Sequence, residues 1–128
     1  MNMRWSRQIT AAKSAAISES RHEFARVLRE RGLGEDDVES AVMILGELLA
    51  NACEHGRMPV EVLLSSRGSA LELRVDDGGV DVQRPHKRDP NSLRGRGFEI
   101  IERLGGRISL RGRPRSSVRV MLPFGFAN

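Results

Sequence analysis

Residues 46–56 read GELLANACEHG, a leucine- and alanine-rich stretch in which Glu47, Asn51 and His55 recur every four residues. Side chains at i and i+4 stand one above the other on a helix, so these three form a polar column. Around them Val38, Ala41, Val42, Leu45, Leu49 and Ala52 follow the 3.6-residue period. The stretch therefore closes a long amphipathic helix that is capped at Asp36 or Asp37 and ends at Gly56, shortly before Pro59. Taken alone, an E-x-x-x-N column is ordinarily a solvated face. Here Met43, Ile44 and Ala50 sit beside Glu47, so this side is not freely polar. Asparagine can give an oxygen to a hard cation such as Mg²⁺, and glutamate can orient or deprotonate an attacking hydroxyl.

Outward from this helix, the N-terminal side offers a short strand at 3–10 with Trp5 and Ile9. A helix follows from about Ser18 to Arg31, with Phe24, Val27 and Leu28 on its apolar side and Gly32 and Gly34 at its end. On the C-terminal side, VEVLL (60–64) and LELRV (71–75) read as strands joined by a hairpin turn over SSRGSA. Leu71, Leu73 and Val75 alternate onto one face, and Asp77 falls on that face if the strand continues. An irregular stretch runs from Gly78 to Arg94 and carries Pro85, Pro90, Arg84, Lys87, Arg88 and His86. Loops of this length in small domains are usually lids or mobile segments. GRGFEIIERLG (95–105) predicts a third helix, and two strands near Arg107–Arg111 and Ser117–Leu122 close the chain. The order β-α-α-β-β, loop, α-β-β predicts an α+β fold, a two-layer sandwich of helices on a mixed, mostly antiparallel sheet. Residues 1–128 read as one domain, with a lid loop at about 80–94.

Composition narrows the function classes. The chain has 128 residues, 21 basic against 17 acidic, and a net charge of +4. The excess is uneven: between Arg84 and Arg119 the only acids are Asp89, Glu99 and Glu102. Such a half suits nucleic acid, phosphate or an acidic partner. With four Phe, one Trp and no Tyr, stacking platforms are scarce, which argues against nucleic acid. A single cysteine, Cys53, makes no internal disulfide, and no apolar run approaches the ~18 residues of a membrane span. MNMRWSRQIT lacks the apolar core of a secretory signal, so a cytoplasmic setting without membrane contact is expected.

Two further motifs join the polar column. In VDDGGVD (75–81) an acid ends a strand before glycines, which is either a plain turn or a carboxylate aimed into a pocket. There it would accept a hydrogen bond from an exocyclic amine such as that of adenine. In GRGFEI (95–100) a G-x-G enters a helix, whose N-terminal amides favour phosphate, with Arg94 and Arg96 adding positive charge. A cation-type Asn, a base-reading Asp and a phosphate-type glycine helix, in this order, describe a nucleotide-triphosphate site.

This combination resembles the GHKL ATPase superfamily, the Bergerat fold of histidine kinases, gyrase B, Hsp90 and MutL. Glu47–Asn51, with His55 a turn later, resembles the N box. Asp77-Gly78-Gly79 resembles the first glycine box, and Gly95-Arg96-Gly97 with Phe98 the second. Within the superfamily the chain is most similar to the small bacterial anti-sigma-factor serine kinases, from about residue 7 to Pro123. The resemblance implies binding of ATP and Mg²⁺, phosphorylation of a serine on a STAS-domain anti-sigma antagonist, sequestration of a sigma factor, and a homodimer. It implies that Glu47 is the general base, Asn51 the Mg²⁺ ligand and Asp77 the adenine reader. Gly79, Gly95 and Gly97 would make room for the nucleotide, while His55 is either a site residue or a structural helix-end histidine.

Three departures stand out. Asp81 takes the last position of a box usually written D-x-G-x-G; Asp76 would be the adenine reader if the register slipped by one; and Ser116 or Ser117 replaces the threonine that commonly supports the adenine aspartate. The kinase reading therefore stands beside a non-catalytic one, a nucleotide-binding regulatory module that sequesters or activates a protein partner.

Overall fold

The computed structural model describes residues 3–55, 57–78, 93–111 and 117–125; the side chains of His55, of residues 93–97 and of Arg111 lie outside that description. In chain order the elements are β1 (Arg4–Ile9), α1 (Ser14–Glu30), α2 (Glu35–His55), β2 (Val60–Arg67), β3 (Ala70–Asp76), α3 (Leu93–Arg103), β4 (Arg107–Arg111) and β5 (Ser117–Gly125). The order is the one the periodicities predict.

Several boundaries move. Helix α1 starts at Ser14, about a turn before Ser18, because Ala16 and Ile17 pack against the core and reward the extra turn. It ends in a Schellman arrangement: Leu33 N–H reaches the Leu28 carbonyl at 3.1 Å and Gly32 N–H the Arg29 carbonyl at 3.0 Å. Gly32 sits at φ +92°, open to glycine and strained for other residues. Helix α2 begins at Glu35, with the Val38 amide bonded to the Gly34 carbonyl at 2.9 Å. The cap expected at Asp36 or Asp37 is thus displaced to Gly34, and the two aspartates lie in the first turn, where their charge complements the helix dipole. Arg29 bridges the same turn to Glu35 at 2.8 Å, and this hydrogen bond holds the Glu35 carboxyl below its ordinary range.

Strands β2 and β3 run longer than their apolar cores, leaving only Gly68 and Ser69 as the hairpin turn between Arg67 and Ala70. The continuation is hidden in sequence because Ser66 takes an inner-face position; its Oγ accepts the Met3 amide at 2.7 Å. Helix α3 starts at Leu93, ahead of Gly95, and β5 extends to Gly125.

The sheet order is β1-β2-β3-β5-β4, and every neighbouring pair is antiparallel, so the expected mixed character is not seen among the described strands. One face carries Val60, Val62, Leu64, Leu71, Leu73, Val75, Val118, Val120 and Leu122. Phe24 and Leu28 of α1, Leu45 and Leu49 of α2, and Phe98 and Ile101 of α3 belong to the same buried cluster. This gives the two-layer α+β sandwich. Alternation sends Glu61, Leu63, Glu72, Arg74, Asp76, Ser117, Arg119 and Met121 to the opposite face.

A polar clasp ties edge strand β1 to α1. Trp5 Nε1 donates to Glu23 Oε1 at 2.8 Å, Arg7 donates to Glu23 Oε2 at 2.8 Å, and the Trp5 ring lies 5.6 Å from that of Phe24. Replacing Glu23 with alanine leaves the half-buried Trp5 Nε1 unpaired and Arg7 with only the exposed Glu19 at 3.3 Å, so we expect a loss of about 1–3 kcal/mol. A lower urea midpoint, read from the fluorescence of the single tryptophan, checks this; an unchanged midpoint would show the clasp to be energetically idle.

Candidate functional site

The polar column lies on the border of α2's buried surface. Ile44 and Leu48 flank it on one side and are 0% and 2% exposed, while Met43 is 48% exposed and Ala50 is exposed on the other. The apolar neighbourhood expected from Met43, Ile44 and Ala50 therefore narrows to Ile44, joined by Leu48. Glu47 and Asn51 are both half-buried. Asn51 Oδ1 is fully covered and has no hydrogen-bond partner among the described residues. A covered acceptor without a donor carries a desolvation cost of about 1–3 kcal/mol, which a cation or ordered ligand would offset. The His55 side chain falls outside the described residues.

Asp77 follows the last residue of β3, and the alternation places it on the inner face. Leu71, Leu73, Val75 and Asp77 are buried, whereas Asp76 turns to the opposite face. Position 77 rather than 76 is therefore the inward carboxylate. The backbone just beyond it is anchored. Gly78 N–H donates to the Arg57 carbonyl at 2.5 Å, and a Cβ at Gly78 would meet the Arg57 and Met58 carbonyl oxygens at 2.7 Å. Arg57 and Met58 follow closely on the C-terminus of α2, so this contact sets the end of β3 beside the end of the helix that carries Asn51. Only glycine permits so close an approach. The sequence marked Gly78 as part of a box; its packing role appears only in the fold.

The second glycine motif opens α3. Gly95 lies in its first turn, whose leading amides have no partners inside the helix, and Gly97 follows at the start of the second turn. Phe98 is 3% exposed and belongs to the core, so its visible contribution is to anchor α3. Helix α3 packs against α2. The side chains of Arg94 and Arg96, and all of Gly79, Asp81 and the lid from 80 to 92, lie outside the described residues.

Ser117 is placed differently from expectation. It pairs with Asp76 across β3 and β5, while its neighbour Val118 pairs with Val75 on the inner face. The Ser117 hydroxyl thus faces away from the Asp77 side and does not support that carboxylate. Ser116, the other serine weighed for this role, lies outside the described residues.

The donor set suits Mg²⁺ in one particular way. No group of three or more His, Cys, Asp or Glu side chains gathers among the described residues, but the lone covered oxygen of Asn51 matches a cation held by one protein ligand, phosphates and water. A cavity of about 400 Å³ lies elsewhere, between α1 and α2, where Arg21, His22, Glu35 and Val42 line it. None of the residues predicted from sequence lines it. No helix among the described residues is long and apolar enough to cross a membrane.

Comparison with known proteins agrees with this architecture. The profile of a family described as the histidine kinase-like ATPase domain matches residues 10–122, and the chain belongs to that family. No curated protein matches the chain. Among solved structures it is similar to the histidine kinase domain from Erythrobacter litoralis EL346 blue-light activated histidine kinase, with a TM-score of 0.53 and 18% identity. The similarity covers 86% of this chain and 60% of that one, less than two thirds of the neighbour's length. At this identity the likeness carries the fold: an α+β GHKL ATPase fold with a five-stranded sheet.

Proposed function

We propose that this histidine kinase-like ATPase domain binds ATP with Mg²⁺ and phosphorylates a serine on a STAS-domain anti-sigma antagonist, acting as an anti-sigma factor or partner-switching regulator. The observation that carries the reading is the covered Asn51 Oδ1, without a hydrogen-bond partner among the described residues, on the same helical column as Glu47. In this reading Asn51 gives that oxygen to Mg²⁺, and Asp77 accepts a hydrogen bond from the adenine amino group. The open amides of α3 and the guanidinium groups of Arg94 and Arg96 receive the phosphates. Glu47 takes the proton of the attacking serine hydroxyl as the new O–P bond forms and the bond to the ADP leaving group breaks. The phosphate adds about −1.5 to −2 charge to the partner at neutral pH, enough to reverse the sign of a contact surface.

The test is isothermal titration of ATP into the protein with and without Mg²⁺. Saturable binding that requires Mg²⁺ is the expected result. An absence of binding in both conditions would remove the nucleotide from the function and leave a protein-binding module. Asp81, an acid where the first glycine box usually ends in glycine, favours a second reading in which nucleotide is bound but phosphate is not transferred. A phosphotransfer assay on the binding-competent protein separates the two.

A further inference from the structure

The groove between α1 and α2 holds a cavity of about 400 Å³ that the nucleotide site does not use. That volume lies within the ~300–1,000 Å³ of small-molecule sites. Its floor is apolar: Ala25 and Val38 are buried, and Val42 packs against the same core. Its rim is charged, and the charges are sorted along the groove.

Next to the turn between the helices, Arg29 closes on Glu35 with hydrogen bonds of 2.8 and 3.1 Å, so each of these charges already has its partner. About two turns further along α1, Arg21 lays its guanidinium over Gly46, where a Cβ would come within 3.5 Å of its Nε. These two contacts set α1 and α2 antiparallel, with the groove between them. Arg21 and its neighbour His22 make no hydrogen bond or ion pair among the described residues, and Glu39 on the α2 side makes none either. Glu39, Val42 and Gly46 stand at i, i+3 and i+7, on one face of α2. From Glu39 to Gly46 the helix rises about 10 Å. Side chains reaching in from both ends shorten that gap to the length of a short aliphatic chain.

The free groups therefore differ in sign at the two ends and are joined by an apolar floor. A ligand that is only an anion is repelled at the Glu39 end, where Glu35, Asp36 and Asp37 crowd the first turn of α2. A ligand that is only a cation is repelled by Arg21. A molecule bearing both charges is matched at both ends. We infer that this groove binds a small aliphatic zwitterion. Its carboxylate sits on Arg21 and His22, its ammonium on Glu39, and its carbon chain on Ala25, Val38 and Val42. A planar guanidinium suits the carboxylate because two parallel hydrogen bonds fix orientation as well as affinity. None of these residues is assigned to nucleotide, so the inference is independent of the proposed function.

The experiment is titration of the isotopically labelled full chain with ε-aminohexanoate, read from amide shifts in correlation spectra. Low ionic strength is used, because exposed charges are then least screened. Saturable shifts centred on residues 18–29 and 35–42 are expected. Hexanoate and hexylamine, which keep the chain and one charge each, are expected to bind about tenfold more weakly or worse, as one charge-assisted contact is lost. Arg21→Gln and Glu39→Gln are each expected to weaken the zwitterion by about the same factor. Both replace exposed side chains, and their spectra report directly whether the fold is kept. No saturable shift in the wild type, shifts centred outside the groove, hexanoate or hexylamine binding as tightly as the zwitterion, or unchanged affinity in either folded variant would overturn the inference.

Discussion

Asp77→Asn is expected to weaken ATP binding by about ten- to a hundredfold while leaving the fold intact. The substitution is isosteric, so the inner-face position after Val75 is filled by nearly the same volume. What changes is the acceptor. In the proposed site the carboxylate takes a charge-assisted hydrogen bond from the adenine amino group, an interaction worth about 1.5–3 kcal/mol. Since each 1.4 kcal/mol is a factor of about ten in affinity, the loss falls in that range. An amide also presents its NH₂ edge in one orientation, setting donor against donor. Titration of ATP, with a thermal melt as the fold control, reads both effects. Unchanged affinity would show that Asp77 does not contact the base, and Asp76→Asn, on the opposite face, is the matched control in which ATP affinity should hold.

Glu47→Ala is expected to lower the phosphotransfer rate by about 10²–10⁴-fold with ATP affinity unchanged within experimental error. Glu47 stands one helical turn before Asn51, half-buried, on the border between the buried and exposed surfaces of α2. In the proposed site, that is where a base would reach a protein substrate approaching from solvent while staying beside the phosphates. Removing it deletes the proton acceptor and leaves the adenine and phosphate contacts in place. The assay is transfer of labelled phosphate to a serine-bearing STAS partner, alongside titration of ATP. If transfer persists at the wild-type rate, Glu47 is not the base. If ATP binding collapses as well, its role is structural or in nucleotide binding.

Much of the fold was legible because its signals are local. The 3.6-residue recurrence in 38–52, the strict alternation in 71–77 and the glycine after Arg31 each lie within a window shorter than one element. The inward face of Asp77 followed from alternation alone, and the buried position bears out that geometry. Boundaries were less legible. Ser66 looks like a loop residue until its hydroxyl is seen to accept the Met3 amide, a contact spanning more than sixty positions. Helix α1 gains its first turn from packing of Ala16 and Ile17, which no local propensity announces.

The site divides in the same way. Asn51 and Glu47 were visible as a column, but whether the Asn51 oxygen was solvated or covered depended on what packs around α2. Between Ser116 and Ser117 the sequence left the choice open, because a one-residue step reverses the face, and the pairing of Ser117 with Asp76 places Ser117 on the outer one.

By itself, then, the sequence determined the order of the elements, the two-layer class, the membership of the ATPase family and the inner-face position of Asp77, since each is written in short-range periodicity or contiguous motifs. The tertiary structure alone decided the strand order, the close approach of Gly78 to the Arg57 and Met58 carbonyls and the covered oxygen of Asn51. These depend on registers and contacts between residues far apart in the chain, where a one-residue slip reverses a face and no local pattern records the choice.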